Sequence, residues 1–149
     1  RSGLTSMGER CEAFFTGDSC LSELPLNGLR VLLLEDEALI ALDVEQICRD
    51  AGAADVTVVH DLSQLGEGGV QADAHDAAVI DVMLRGVPTV EAARRLKENG
   101  MPFVFATGYV DRHEIFDEFP GIAVIGKPYA GGDLVEALGR AVARRRMAG

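Results

Sequence analysis

Residues 29–37 read Leu29-Arg30-Val31-Leu32-Leu33-Leu34-Glu35-Asp36-Glu37, an apolar run that stops abruptly at three acids. A short continuous apolar run bounded by polar residues reads as a strand buried on both faces. Strands of that kind belong to parallel sheets covered on both sides by helices. The question is then whether the rest of the chain supplies such helices and further strands of the same kind.

It does, in regular alternation. Ala38 to Ala51 reads as a helix: Ile40, Val44, Ile47 and Ala51 recur at three- and four-residue spacing, Asp43, Glu45, Arg49 and Asp50 fall elsewhere on the wheel, and Gly52 is placed to end it. Val56–Val59 reads as a second strand. Asp61-x-x-Gln64 caps a short second helix, which Gly66, Gly68 and Gly69 weaken. Ala77–Ile80 is a third strand ending at Asp81, and Thr89–Asn99 a third helix closed by Gly100. Phe103–Ala106 is a fourth strand ending at Thr107. Asp111-x-x-Glu114 opens a short fourth helix stopped by Pro120. Ile122–Ile125 is a fifth strand, followed by Gly126-Lys127-Pro128. Leu134, Ala137, Leu138, Ala141 and Val142 mark a fifth helix whose closing arginines suit its negative dipole end. Five strand–helix units predict an α/β fold with a doubly wound, five-stranded parallel sheet.

Composition agrees and excludes alternatives. The chain has 149 residues, 48% of them hydrophobic, which suits one domain with a sizeable core and rules out wholesale disorder. The formal charge is -10, and Arg140, Arg144, Arg145 and Arg146 hold +4 of it in the last ten residues, leaving -14 for the rest. So acidic a body repels phosphate backbones, so nucleic-acid binding is not expected. No apolar run spans a bilayer, no signal peptide opens the chain, and Cys11, Cys20 and Cys48 are too few for a disulfide scaffold. The expected setting is the reduced cytoplasm. Cys48 reads as core filler, Cys11 and Cys20 as incidental, and His60, His75 and His113 as surface residues without metal-like spacing. Residues 1–28 read as a poorly ordered leader, with 1–6 foreign to a native start at Met7. Residues 29–146 are the domain and 147–149 a tail.

Ligands of open α/β sheets bind at the C-terminal strand ends, beside the point where strand order reverses. Glu35, Asp36 and Glu37 end the first strand, Asp81 the third and Thr107 the fourth, and Lys127 follows the fifth. Alone, each has a bland reading: acids favour a helix start, and Thr107 and Lys127 are ordinary strand-end residues. Together they put like charges at one edge, which require a counter-ion. Mg²⁺ takes oxygen ligands and typically only one or two carboxylates. A carboxylate beside it serves as a nucleophile toward phosphorus, with Mg²⁺, Lys127, Thr107 and backbone N–H groups stabilising the transferring oxygens.

On these residues the sequence resembles the receiver domains of two-component response regulators, over roughly Leu29 to Arg144. The matching pieces are Glu35-Asp36-Glu37, Val79-Ile80-Asp81-Val82-Met83, Ala106-Thr107-Gly108 and Lys127-Pro128-Tyr129. The resemblance implies the (βα)5 flavodoxin-like topology. It makes Asp81 the phosphoacceptor. Asp36, Asp81 and the Met83 backbone carbonyl would ligate Mg²⁺, with Glu35 acting mainly through a metal-bound water. Thr107 would hold the phosphoryl group and move on activation. Lys127 would pair with Asp81 and then with the phosphoryl group, and the Lys127–Pro128 bond would be cis. The domain would assist its own phosphoryl transfer and dephosphorylation without being an enzyme in the ordinary sense.

Phe105-Ala106-Thr107-Gly108-Tyr109 further resembles the stand-alone receivers named for a Phe-Ala-Thr-Gly run followed by an apolar residue and Tyr. Here Tyr109 follows the glycine directly. That group implies a sensor histidine kinase partner, including the HWE type, or a phosphotransfer protein, with output through an unspecified protein and a monomeric or weakly dimeric state. Most receivers carry an aromatic residue three positions before the lysine; here it is Val124, and Tyr109 is the expected substitute switch beside Thr107. Met83 and Tyr109 would flank the entry of attacking water.

Three competing functions follow from the same residues. A phosphatase of the haloacid dehalogenase type needs a second aspartate where Met83 stands. A receiver kept only for interaction would not need Glu35, Asp36, Asp81, Thr107 and Lys127 all present. A receiver cut from a longer regulator is the third. A single-domain regulator is the expectation, since the chain beyond the receiver has no room for an effector.

Overall fold

The computed structural model describes residues 24–65, 74–108, 113–127 and 131–148. In chain order it contains β1 (Arg30–Leu34), α1 (Ala38–Asp50), β2 (Asp55–Val59), a 3₁₀ turn (Leu62–Leu65), β3 (Ala77–Asp81), β4 (Met83–Leu84), β5 (Val87–Pro88), α2 (Val90–Glu98), β6 (Phe103–Thr107), α3 (His113–Asp117), β7 (Val124–Gly126) and α4 (Gly131–Ala148). Five strands form one parallel sheet in the order β2-β1-β3-β6-β7. The expected fold class is the observed one.

Successive strand residues point to opposite faces, and both faces are apolar because each is covered. Val31, Leu33, Ala77, Val79, Val104 and Ala106 face one side, under Ala41, Val44 and Cys48 of α1 and Leu134 and Leu138 of α4. Leu32, Leu34, Ala78, Ile80, Phe103 and Phe105 face the other, under Ala92, Ala93 and Leu96 of α2. The second face is aromatic: Phe103 and Phe105 meet edge to face with ring centres 5.4 Å apart, and Phe119 contacts both. Cys48 is fully buried, as expected of core filler, and burial pushes its thiol up to about 11.

Several boundaries differ from expectation. The ordered fold starts before Leu29. Leu26 is completely buried, its N–H donates to the Ala51 carbonyl at 3.0 Å, and the Gly28 N–H donates to Gly52 at 2.9 Å. Gly52 sits at φ +104°, and a Cβ there would lie 2.9 Å from the Asn27 Cα, so the turn at 24–28 is packed against it. The scattered apolar residues of the leader hid this, because a single docking leucine has no periodicity. The last sheet strand is Val124–Gly126, two residues later at its start than expected and shorter. The Ile122 N–H closes a turn onto Phe119, so the chain is still turning there, although the Ala123 carbonyl already accepts the Phe105 N–H.

The second helix is a single 3₁₀ turn among the described residues. Half of the expected capping box forms: Gln64 accepts the Asp61 N–H at 3.0 Å, but Asp61 accepts the Ser63 N–H at 2.9 Å in place of that of Gln64. The fourth helix ends at Asp117, before Pro120; the expected cap Asp111 lies outside the described residues. Cys11, Cys20, Tyr109, Pro128 with its expected cis bond, and Tyr129 lie outside them too.

Two further expectations change. Arg144 and Arg145 do more than suit the helix dipole: they donate to the carbonyls of Gly121 and Gly100, tying the end of α4 to two turns. His60 and His75 are half-buried rather than surface residues. The short antiparallel pair β4–β5 is an addition that strand periodicity could not show, being two residues per strand.

Candidate functional site

The strand order reverses between β1 and β3, since β1 leads outward to β2 and β3 to β6. The C-terminal ends of both strands open into a pocket of about 520 Å³ lined by Asp36, Glu37, Asp81, Met83, Gly86, Gly108 and Lys127. The parallel register explains the convergence. Leu34 pairs with Ile80, and Asp81 with Ala106, so Glu35, Asp81 and Thr107 end neighbouring strands at nearly one level.

Lys127 is the hub. Its N–H donates to the Thr107 carbonyl at 2.9 Å, fixing the chain just after β7. Its Nζ lies 2.7 Å from Asp81 Oδ2 and 2.7 Å from Glu35 Oε1. These side chains are largely withdrawn from solvent: 15% exposed for Lys127, 12% for Asp81 and 1% for Glu35. Burial opposes the ammonium charge, but the Asp81 and Glu35 carboxylates outweigh it and hold the Lys127 pKa above the ordinary lysine value. Burial also dominates at Glu35 and raises its pKa, against the lowering pull of Lys127 and the Glu37 N–H, which donates to Oε2 at 3.1 Å.

Glu35, Asp36 and Asp81 can each bring one carboxylate oxygen within 4.8 Å of the others. One ammonium faces three carboxylates, and every donor is oxygen. That set fits a hard divalent cation and not a soft one. Asp36 is half-buried, and its Oδ2 accepts the Arg85 N–H at 2.9 Å.

The predicted residues fall as follows. Glu35, Asp36, Asp81 and Lys127 are brought together. Met83 lines the same pocket, and its N–H reaches Asp81 Oδ1 at 3.4 Å. Thr107 is fully buried at the end of β6, with its neighbour Gly108 in the pocket wall. Tyr109 lies outside the described residues. Val124, in place of an aromatic, packs against the phenylalanine cluster.

Three contributors were not expected. Thr89 is fully buried, and its hydroxyl donates to the Asp81 carbonyl at 2.7 Å and contacts the Val82 carbonyl at 3.0 Å, instead of capping α2. Arg85 supplies the N–H to Asp36. The His60 Nδ1 lies 3.0 Å from the Glu35 carbonyl. Gly86, an obvious turn residue, was the available sign of the hairpin that carries Arg85.

No family model matches the chain. Its sequence is similar to the transcriptional regulatory protein PdtaR of Mycobacterium tuberculosis, 31% identical over 123 residues that cover 78% of this chain and 58% of that protein. The chain thus spans a little over half the length of that relative. Among solved structures it is similar to a response regulator receiver protein from Sinorhizobium medicae, with TM-score 0.66 and 27% identity over 80% of this chain and 98% of that one. It is also similar to a receiver domain protein from Methanospirillum hungatei, with TM-score 0.68 and 22% identity over 83% and 100%. The signal receiver domain of a modulated diguanylate cyclase from Desulfovibrio desulfuricans superposes with TM-score 0.69 and 21% identity over 83% and 100%. With the acids and the lysine gathered at the β1/β3 switch point, the chain has the response regulator receiver fold.

Proposed function

We propose that the protein is a response regulator receiver that accepts a phosphoryl group from a histidine kinase on Asp81 and signals through protein contacts. The observation that carries this reading is the Lys127 ammonium held between Asp81 Oδ2 and Glu35 Oε1 in a pocket that also contains Asp36. Asp36 and Asp81, with the Met83 carbonyl, would hold Mg²⁺, and Glu35 would act mainly through water. Bound there, Mg²⁺ would neutralise charge on the incoming phosphoryl oxygens. Asp81 presents a carboxylate oxygen as nucleophile. Lys127 is positioned to follow the charge as it moves from that carboxylate to the phosphoryl group. Thr107, at the adjacent strand end, would hydrogen-bond the group, with Tyr109 as its switch partner.

The Phe105-Ala106-Thr107-Gly108-Tyr109 run supports a place among the stand-alone Phe-Ala-Thr-Gly receivers and a kinase of the HWE type. Among the described residues no helix is long and apolar enough to cross a membrane, in keeping with a cytoplasmic role. The test is transfer from an autophosphorylated histidine kinase: label should leave the kinase histidine and appear on this chain. Asp81→Asn should abolish it; label retained by that variant would overturn the assignment.

A further inference from the structure

The hairpin β4–β5 joins Leu84 to Val87 through Arg85 and Gly86. Both turn residues are left-handed, Arg85 at φ 51° and Gly86 at φ 77°. That is the backbone of a type I′ turn, the form that matches strand twist, and its first position is normally Asn, Asp or Gly. Arginine is an unfavourable choice there, because its Cβ crowds the backbone at positive φ. Among the described residues it is the single non-glycine at positive φ. Strain of this kind persists when surrounding contacts hold it.

The contacts are specific. In this conformation the Arg85 N–H points at Asp36 Oδ2, 2.9 Å away and 49 residues distant in sequence. The Arg85 Nε donates to the His60 carbonyl at 3.3 Å and lies 3.8 Å from Asp61 Oδ2. His60 in turn contacts the Glu35 carbonyl through Nδ1. At the other end of the hairpin, Thr89 ties its N–H to the Val82 carbonyl and its hydroxyl to the Asp81 carbonyl. The hairpin is therefore anchored at its base to Asp81 and at its tip to Asp36, the two acids that end β3 and follow β1.

We propose that Arg85 is a positioning residue for the cation site: its left-handed backbone aims one N–H at Asp36 and fixes that carboxylate for metal binding, while its side chain holds the turn against His60 and Asp61. This rests on the metal reading given above. The donated hydrogen bond occupies one oxygen of Asp36 and leaves the other for the cluster. A swinging carboxylate would have to be ordered when the ion arrives, which weakens binding; a held one does not.

The N–H and the side chain can be separated. Arg85→Gly keeps the N–H and accepts positive φ without strain, whereas Arg85→Val keeps the N–H but disfavours the conformation that aims it. Mg²⁺ binding to the whole chain is measured by titration calorimetry for wild type, Arg85→Gly, Arg85→Asn and Arg85→Val, with circular dichroism confirming the fold. The glycine and asparagine variants should bind within roughly twofold of wild type, and the valine variant roughly fivefold or more weakly. Arg85→Ala, a milder change, should fall between, and it replaces the valine variant in the comparison if that one does not fold. A folded valine or alanine variant that binds Mg²⁺ as wild type does overturns the positioning role alone. A glycine variant as weak as valine also overturns it, since the left-handed backbone would then not be what positions Asp36. Wild type that binds no Mg²⁺ overturns the metal reading, and the positioning role with it.

Discussion

The Lys127 ammonium stands 2.7 Å from Asp81 Oδ2, joining residues 46 apart in sequence across the ends of β3 and β7. The same nitrogen holds the almost completely buried carboxylate of Glu35. Removing it leaves a buried acid without its ionic partner, held only by the Glu37 N–H. Lys127→Met should therefore destabilise the fold by about 1–3 kcal/mol at neutral pH, less than an isolated buried charge costs because Glu35 can take up a proton. Urea unfolding measures this, and an unchanged midpoint would contradict it.

Asp36 should behave oppositely. It adds a third negative charge to a cluster with one ammonium, and asparagine can still accept the Arg85 N–H. In metal-free buffer Asp36→Asn should be more stable than wild type by about 0.5 kcal/mol.

Mg²⁺ should reverse that order. An ion bound by the folded chain alone stabilises it by about 1.4 kcal/mol at ten times its Kd. Thermal unfolding of wild type should shift upward on adding Mg²⁺, and unfolding of Asp36→Asn should shift much less. Chelation should restore the metal-free values in both.

The fold's early start gives a separate prediction. Leu26 is fully buried, so Leu26→Ala should cost about 2–4 kcal/mol, and Gly52→Ala should destabilise because its Cβ meets Asn27 at positive φ. If the chain before Leu29 were loosely attached, Leu26→Ala would be nearly neutral in chemical denaturation, whereas Gly52→Ala would still carry the strain of its positive φ.

His75 gives a pH dependence. Burial, and then Arg30, hold its pKa below the ordinary histidine value, against Asp55 and Asp76, which raise it. Its Nδ1 is buried with no hydrogen-bond partner among the described residues. The unfolded chain therefore takes up this proton first. Stability from His75 is complete above its unfolded value, about 6.5, and is lost as pH falls through that value toward the lower folded one. His75→Gln should flatten the slope of urea midpoint against pH between about 7 and 5 relative to wild type.

Much of this was legible from residue types alone. Glu35, Asp36 and Asp81 end apolar strands, and any parallel sheet must bring such ends to one edge. The alternation of Val31 and Leu33 against Leu32 and Leu34 across two cores follows from the continuous apolar run. What stayed hidden depends on contacts between distant segments. Leu26 has no apolar period to mark it, and Thr89 looks like a helix cap until its hydroxyl turns to Asp81. Arg85 is an exposed residue with no motif to mark it, and only the hairpin brings its N–H to Asp36. The start of β7 was misplaced because Ile122 and Ala123 are as apolar as the strand, while the Ile122 N–H closes a turn onto Phe119 and pairing with β6 begins only at the Ala123 carbonyl.

In the proposed function Asp81 carries the phosphoryl group in a reaction that needs Mg²⁺. Intact mass after incubation with a small acyl or amido phosphate donor decides this. Wild type with Mg²⁺ should gain one phosphoryl group, and the gain should vanish with chelator and in Asp81→Asn. No gain in wild type with any small donor or kinase, or an undiminished gain in Asp81→Asn, would contradict it.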